Sequence, residues 1–151
     1  MSIHQMVVRP MKPEDMEQVY AIEYNSFSRP WSRESFLNSL KNPQNLYLVA
    51  EDEGIILGYC GLWGIVGEGE ITNVAVDKKY RNQGVGERIL TELIESGRKM
   101  GIDAFTLEVR QSNLSAIHLY HKLGFVDTAV RKNYYEAPVE DAIIMWLYFP
   151  L

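Results

Sequence analysis

The chain has only one cysteine, Cys60, in 151 residues. That excludes an internal disulfide and a cysteine-rich zinc site. No apolar run approaches the ~20 residues of a membrane span. The opening stretch Met1-Ser2-Ile3-His4-Gln5 has no basic region followed by an apolar one, so no signal peptide is expected. Repeats, low-complexity tracts and linkers are also missing, which predicts one domain over residues 1–151 with a single sizeable core. Basic residues are in deficit, 15 Lys and Arg against 20 Asp and Glu, and the net charge of −5 disfavours a general nucleic-acid binder. These absences lead us to expect a cytoplasmic protein that engages neither a membrane nor nucleic acid directly.

The basic residues that are present gather in one place. Lys78, Lys79, Arg81 and Arg88 surround a bend between the apolar stretch Val74-Ala75-Val76 and an amphipathic segment starting near Val85. The bend closes on Gly84-Val85-Gly86. Glycines admit a ligand close to the backbone, and the free N–H groups of a helix N-terminus favour anions. The segment is therefore a candidate pyrophosphate cradle. A P-loop is excluded, because Gly86-Glu87-Arg88 does not supply the closing Gly-Lys-Ser/Thr. A dinucleotide fingerprint fits poorly: Asp77 to Gln83 separate strand from glycines, and Ile89 occupies the position of the third glycine. It keeps some support from Glu108, about 20 residues on, near the ribose-binding spacing. A helix start with turn glycines that binds nothing also stays open from these residues alone.

Patterning predicts a first strand over Met6 to Arg9, then a helix after Pro13 with Met16, Val19, Tyr20 and Phe27 on one stripe and Glu23 within it. Ser32 is placed to cap a second helix reaching about Leu40. Strands follow at Leu46–Ala50, Ile55–Trp63 and Gly69–Asp77. Val85, Ile89, Leu90, Leu93, Ile94 and Met100 keep helical spacing, and Gly101 can end that helix. Phe105, Leu107 and Val109 alternate with Thr106, Glu108 and Arg110 on a strand. Asn113 then caps a helix sharing Ala116, Leu119, Tyr120 and Leu123 on one face, before strands at about Val126–Lys132 and Ala142–Leu147. The order predicts a mixed α/β fold around one sheet, with early antiparallel hairpins and a crossover helix in the middle.

A second block, Leu107-Glu108-Val109-Arg110-Gln111-Ser112-Asn113 with Ala116-Ile117-His118-Leu119-Tyr120 and Leu123-Gly124-Phe125, joins the glycine bend. Together they closely resemble the GNAT acyl-CoA N-acyltransferases. Asn133-Tyr134-Tyr135 with Glu140 to Met145, and Phe27 with Pro30-Trp31-Ser32 and Phe36, narrow the resemblance to the RimI-type ribosomal-protein-alanine N-acetyltransferases. The resemblance covers essentially the whole chain. It implies the GNAT fold: a mostly antiparallel mixed sheet of about seven strands, four helices, and a V-shaped opening between the central strands. It also implies acetyl-CoA as cosubstrate and no metal. The pyrophosphate would lie over Arg81, Asn82, Gln83, Gly84, Val85 and Gly86, and the pantetheine along Val74, Ala75 and Val76. The implied acceptor is the N-terminal amine of a protein, plausibly ribosomal, reached by direct transfer in a ternary complex.

Site roles follow from the resemblance and from amine chemistry. An α-amino group of pKa ~8 needs only a modest base, whereas a lysine amine near ~10.4 needs far more. Glu108 matches the family's proposed base; its other reading is a solvated strand carboxylate paired with Arg110. Tyr120 matches the acid for the departing thiolate, and otherwise is a core residue of its helix face. Asn113 is expected both to cap its helix and to contact the cofactor. Glu23 is read either as a receiver of the substrate ammonium or as a helix-edge carboxylate facing water. Tyr134 and Tyr135 are expected in the last loop, contacting the peptide. His118 and His121 lack a third ligand and read as a solvated helix face. Cys60 reads as buried. The competing functions are a GNAT enzyme for lysine side chains or small amines, a non-catalytic acetyl-CoA-binding module and, more distantly, a nucleotide-dependent oxidoreductase.

Overall fold

A computed structural model describes residues 5–150. The elements run β1 (Val7–Pro10), α1 (Met16–Ser26), α2 (Arg33–Leu40), β2 (Asn45–Asp52), β3 (Ile55–Ile65), β4 (Glu68–Val76), α3 (Val85–Lys99), β5 (Ala104–Arg110), α4 (Leu114–Lys122), β6 (Val126–Tyr135) and β7 (Glu140–Tyr148). The seven strands form one sheet in the order β1-β2-β3-β4-β5-β7-β6. Every pairing is antiparallel except β4 with β5, which α3 connects as a crossover. This is the GNAT fold, with the expected element order. No helix among the described residues is long and apolar enough to cross a membrane.

Local chemistry explains the helix boundaries. Ser32 caps α2 by accepting a bond from the Ser35 amide at 3.1 Å, and the Asn113 side chain does the same for α4 from Ala116 at 3.3 Å. Helix α3 buries Val85, Ile89, Leu90, Leu93, Ile94 and Gly97 along one stripe. A Cβ at Gly97 would stand 2.8 Å from the Phe105 ring, so glycine there lets α3 lie close on β5.

The sheet divides two cores. On one face, α3 and α4 cover Leu57, Cys60, Leu62, Phe105, Leu107 and Met145. On the other, α1 and α2 cover Tyr47, Val49, Ile56, Tyr59 and Ala75, with the fully buried Phe36 edge-on to Tyr59 at 5.8 Å. Buried on both faces, β2 and β3 read as nearly continuous apolar runs.

Three expectations are corrected. The buried face of α1 is Met16, Val19, Ile22 and Glu23, not Tyr20 and Phe27. Tyr20 instead lies under the Arg33 guanidinium at 4.5 Å, and α1 ends at Ser26 because Phe27 turns extended at φ −126°. Strand β1 is shifted by one residue, to Val7–Pro10. Strand β6 continues through Asn133 and both following tyrosines, so Tyr134 and Tyr135 stand at a strand end and not in the loop.

Candidate active site

The parallel ladder between β4 and β5 has three pairs, the last being Glu70 with Thr106. Beyond it the strands part. Strand β4 carries a bulge there: Gly61 of β3 faces Asn73 while Leu62 faces Ile71, leaving Thr72 as the extra residue. Strand β5 stays paired with β7 as far as Arg110 and Ala142. Residues Val74–Val76 thus pair with β3 on one side only, and along their other edge, where Arg81 takes the Val76 carbonyl, no strand pairs with them. Such an edge can pair with an extended amide-containing ligand.

The opening widens into a cleft of about 690 Å³. Val74, Ala75 and Val76 form one wall; Arg81, Asn82, Gly84, Val85 and Gly86 form its end; Asn113 and Tyr120 from α4 form the far side. Of the residues expected to hold the donor, only Gln83 lies outside this lining, its amide turned back to the Lys79 carbonyl at 3.4 Å. The bend has its own supports. The Asp77 carboxylate accepts from the Lys79 amide at 3.0 Å, and Arg81 Nε donates to the Val76 carbonyl at 3.0 Å. Asn82 and Gly84 are left-handed at φ 62° and 84°. A Cβ at Gly84 would meet nothing within 4 Å, so this glycine serves backbone conformation and not crowding. No side chain caps the start of α3, whose first amides are left for a ligand. Free amides, a positive helix end and nearby basic side chains fit a pyrophosphate.

Tyr120 is 7% exposed, packs its ring 5.9 Å from Phe125 and lines the cleft. Burial pushes its phenol well above the usual range, so it keeps its proton and can donate. Glu108 lies on β5, the opposite wall of the V. Its carboxylate accepts a 2.5 Å bond from the Tyr134 hydroxyl, which is itself pushed up to about 12, chiefly by that bond. Tyr135 meets the Tyr134 ring edge-on at 5.0 Å. The pairing of Glu108 with Arg110 does not form. Arg110 instead pairs with Glu140 at 3.2 Å, donates to the carbonyls of Glu136 and Pro138 at 3.0 Å, and covers the Tyr135 ring.

Glu23 requires a correction on both of its readings. It is 2% exposed, and its oxygens accept from the Trp31 amide at 2.8 Å, the Tyr59 hydroxyl and Asn73 Nδ2 at 3.4 Å. A carboxylate so enclosed neither faces water nor meets an incoming ammonium. His121 lies 2.7 Å from Asp127, and no group of three metal-ligating side chains occurs among the described residues. Cys60 is buried, and burial pushes its thiol up, away from reactivity.

Sequence reasoning overlooked Glu70. It faces the same side as Glu108, and its carboxyl is held above the usual range by burial and then by Glu108. The available signal was a charge inside an apolar strand, just before the bulge. Arg110 was noticed only as a partner for Glu108; its reach to the β6–β7 turn depends on contacts 26 to 30 positions away.

The cleft beside a split parallel pair, ending at an uncapped helix start with basic side chains, has the shape expected of an acyl-group transferase. The chain belongs to the acetyltransferase (GNAT) family, whose model matches residues 16–125. Among its relatives is a Bacillus subtilis (strain 168) protein named "Putative ribosomal protein bS18-alanine N-acetyltransferase", 43% identical over 141 residues and covering 93% of each chain. The ribosomal protein bS18-alanine N-acetyltransferase of Escherichia coli (strain K12) is 34% identical over 142 residues, 93% of this chain and 95% of that one. The crystal structure of the ribosomal-protein-S18-alanine N-acetyltransferase from Escherichia coli superposes with a TM-score of 0.89 at 32% identity, covering 97% and 95%. The chain is a GNAT-family N-acetyltransferase similar to these proteins.

Proposed function

We propose that the chain transfers the acetyl group of acetyl-CoA to the N-terminal α-amine of a protein, of the ribosomal-protein-alanine kind, by direct transfer in a ternary complex. The observation that supports this reading is the parting of β4 from β5 after Glu70 and Thr106, which leaves Val74–Val76 without a second strand partner along a cleft lined by Tyr120, with Glu108 on β5 just past the last ladder pair and outside the cleft lining itself. In this reading the bend at 81–86 holds the pyrophosphate, the β4 edge pairs with the pantetheine amides, and Asn113 joins the donor contacts while capping α4. Glu108, oriented by Tyr134, takes the proton that the acceptor ammonium must lose before its nitrogen bonds to the thioester carbonyl carbon, and the second N–H proton, lost on amide formation, replaces the one that Tyr120 gives up. As the C–S bond breaks, the departing sulfur takes the Tyr120 proton. Tyr134 and Tyr135 flank the peptide.

The acceptor side favours a chain end. Arg29 of the α1–α2 segment pairs with Glu136 of the β6–β7 turn at 3.0 Å, and Arg110 reaches Ser28 at 3.4 Å, so the two segments meet beside the opening. A flexible N-terminus passes such a constriction more readily than a lysine on a folded surface. The acidic net charge favours a free ribosomal protein or its tail over ribosomal RNA. The deciding experiment compares peptides of one sequence with free or blocked N-termini. Acetylation of the free α-amine is expected, and transfer confined to lysine overturns the reading. Binding of acetyl-CoA without turnover on any amine would instead establish a non-catalytic module.

A further inference from the structure

We propose that Glu23 is a positioning residue that fastens the acceptor wall of the opening to the donor wall, so that acceptor turnover, and not acetyl-CoA binding, depends on its carboxylate. The inference rests on the acetyl-transfer reading above, but it concerns a residue that touches neither substrate.

The case begins with an unfavourable burial. Glu23 sits on α1 among Met16, Val19 and Ile22, where an apolar residue would continue the stripe. A buried carboxylate is costly unless its oxygens are bonded, and no ion pair among the described residues includes Glu23. What offsets the cost is three donors from three separate elements. Oε2 accepts the Trp31 amide at 2.8 Å; Oε1 accepts the Tyr59 hydroxyl from β3 and Asn73 Nδ2 from β4 at 3.4 Å. Bonds to a carboxylate are about twice as strong as neutral ones.

Each donor has a place in the opening. Trp31 ends the segment after α1 in which Phe27 lines the cleft and Ser28 and Arg29 meet the β6–β7 side. That segment pairs with no strand. Besides the Trp31 amide, its backbone anchor is the Phe27 amide on the Glu23 carbonyl at 3.1 Å, so Glu23 holds both of its ends. Asn73 adjoins Val74 at the bulge that parts β4 from β5. Its Oδ1 is buried without a partner, so its amide is held through Glu23 alone. One carboxylate therefore bridges the acceptor segment and the strand along which the donor lies. A shift of about 1 Å between such reacting partners can cost about 10²-fold in rate.

The test measures kcat and KM for a free-N-terminus peptide, acetyl-CoA affinity by calorimetry, and hydrogen exchange of the Trp31 amide, in Glu23→Ala, Glu23→Gln and Tyr59→Phe. For Glu23→Ala we expect acceptor kcat/KM to fall about 10²-fold with acetyl-CoA affinity changed less than about threefold. The Trp31 amide should lose its protection. Glu23→Gln keeps an acceptor oxygen and should recover most of the loss. If the alanine variant does not fold, Tyr59→Phe removes one arm only and should show the same split at smaller size. Matching losses for donor and acceptor, or undiminished acceptor turnover with an exchanging Trp31 amide, overturn the proposal. Should the wild-type protein act on lysine peptides alone, the N-terminal reading falls while the same split, measured with lysine peptides, still decides the role of Glu23.

Discussion

Replacing the proposed base by Glu108→Gln probes the chemistry directly. Glutamine keeps the length of the side chain and an oxygen that can accept the Tyr134 hydroxyl, so the wall at β5 should stay in place. What is lost is a proton acceptor, which contributes about 10²–10⁴-fold in such reactions. The acceptor sets where in that range the loss falls. An α-amine of pKa ~8 is about one-tenth free base at pH 7, a cost of roughly 1.4 kcal/mol, so a loss near the lower end, about 10²-fold in kcat/KM, is expected there. By about pH 9 the amine is some nine-tenths free, and the variant should regain nearly tenfold on the wild type. Tyr134, pushed up to about 12, stays protonated and donating throughout. The assay follows thiol release with a free-N-terminus peptide from about pH 6 to about pH 9. The expected outcome is a gap that narrows with pH. A ratio constant across the range refutes a base role and leaves Glu108 a positional one. Were lysine the acceptor, the recovery would still be climbing at the upper limit, because its amine titrates near ~10.4.

Tyr120→Phe should lower kcat by about 10- to 10²-fold, since a thiolate near pKa ~8.5 leaves tolerably without an acid, and calorimetry should find acetyl-CoA affinity little changed. Equal losses in both would mark Tyr120 as core. Phe36→Ala empties a fully buried site between Trp31 and Tyr59 and should cost about 3–5 kcal/mol, read as a lowered urea midpoint. Glu70→Gln should raise the melting temperature at neutral pH. Its folded pKa is raised, so the native state is favoured below the unfolded value near ~4.3 and loses that contribution as pH rises through the folded value; the variant's advantage should vanish in melts below about pH 4. Solvent screening keeps the effect under about 1 kcal/mol.

Much of this was legible because local periodicity and burial agree. The apolar spacing of α3 from Val85 to Ile94, the alternation of β5 and the caps Ser32 and Asn113 all act within a few residues, and each appears where the pattern put it. The misreadings share a cause. Phe27 fits the stripe only if α1 runs on past Ser26, and Tyr20 lies off the buried face under Arg33 of the next helix, a contact the spacing within α1 does not show. Asn133, left-handed at φ 55°, resembles a turn residue, yet β6 absorbs it as a ladder irregularity and carries Tyr134 to Glu108. For Glu23 the sequence shows only a charge on an apolar face. Its partners Tyr59 and Asn73 lie 36 and 50 positions away, and no local pattern connects them.

The opening itself comes from pairing that stops. Had β4 and β5 continued their ladder past Glu70 and Thr106, the backbone groups of Val74 to Val76 would be satisfied by β5 and no extended donor could use them. Two features keep the strands apart. The extra residue Thr72 bends β4 away, and β5 is drawn the other way by its unbroken pairing with β7 through Arg110 and Ala142. Arg110 sits at the end of that pairing and bonds Glu140, Glu136 and Pro138, so the residue that closes the β5 ladder also fixes the β6–β7 turn beside the acceptor. Glu23 does the corresponding work on the other wall, through Asn73 at the bulge and Trp31 in the acceptor segment. The proposed base Glu108 and acid Tyr120 are thus carried by regular elements, while two charged side chains outside the proposed chemistry, Arg110 and Glu23, tie down the segments around them. A substitution at Glu23 should slow acceptor turnover together with a loss of protection at the Trp31 amide, a loss that changes at Glu108 or Tyr120 should not produce.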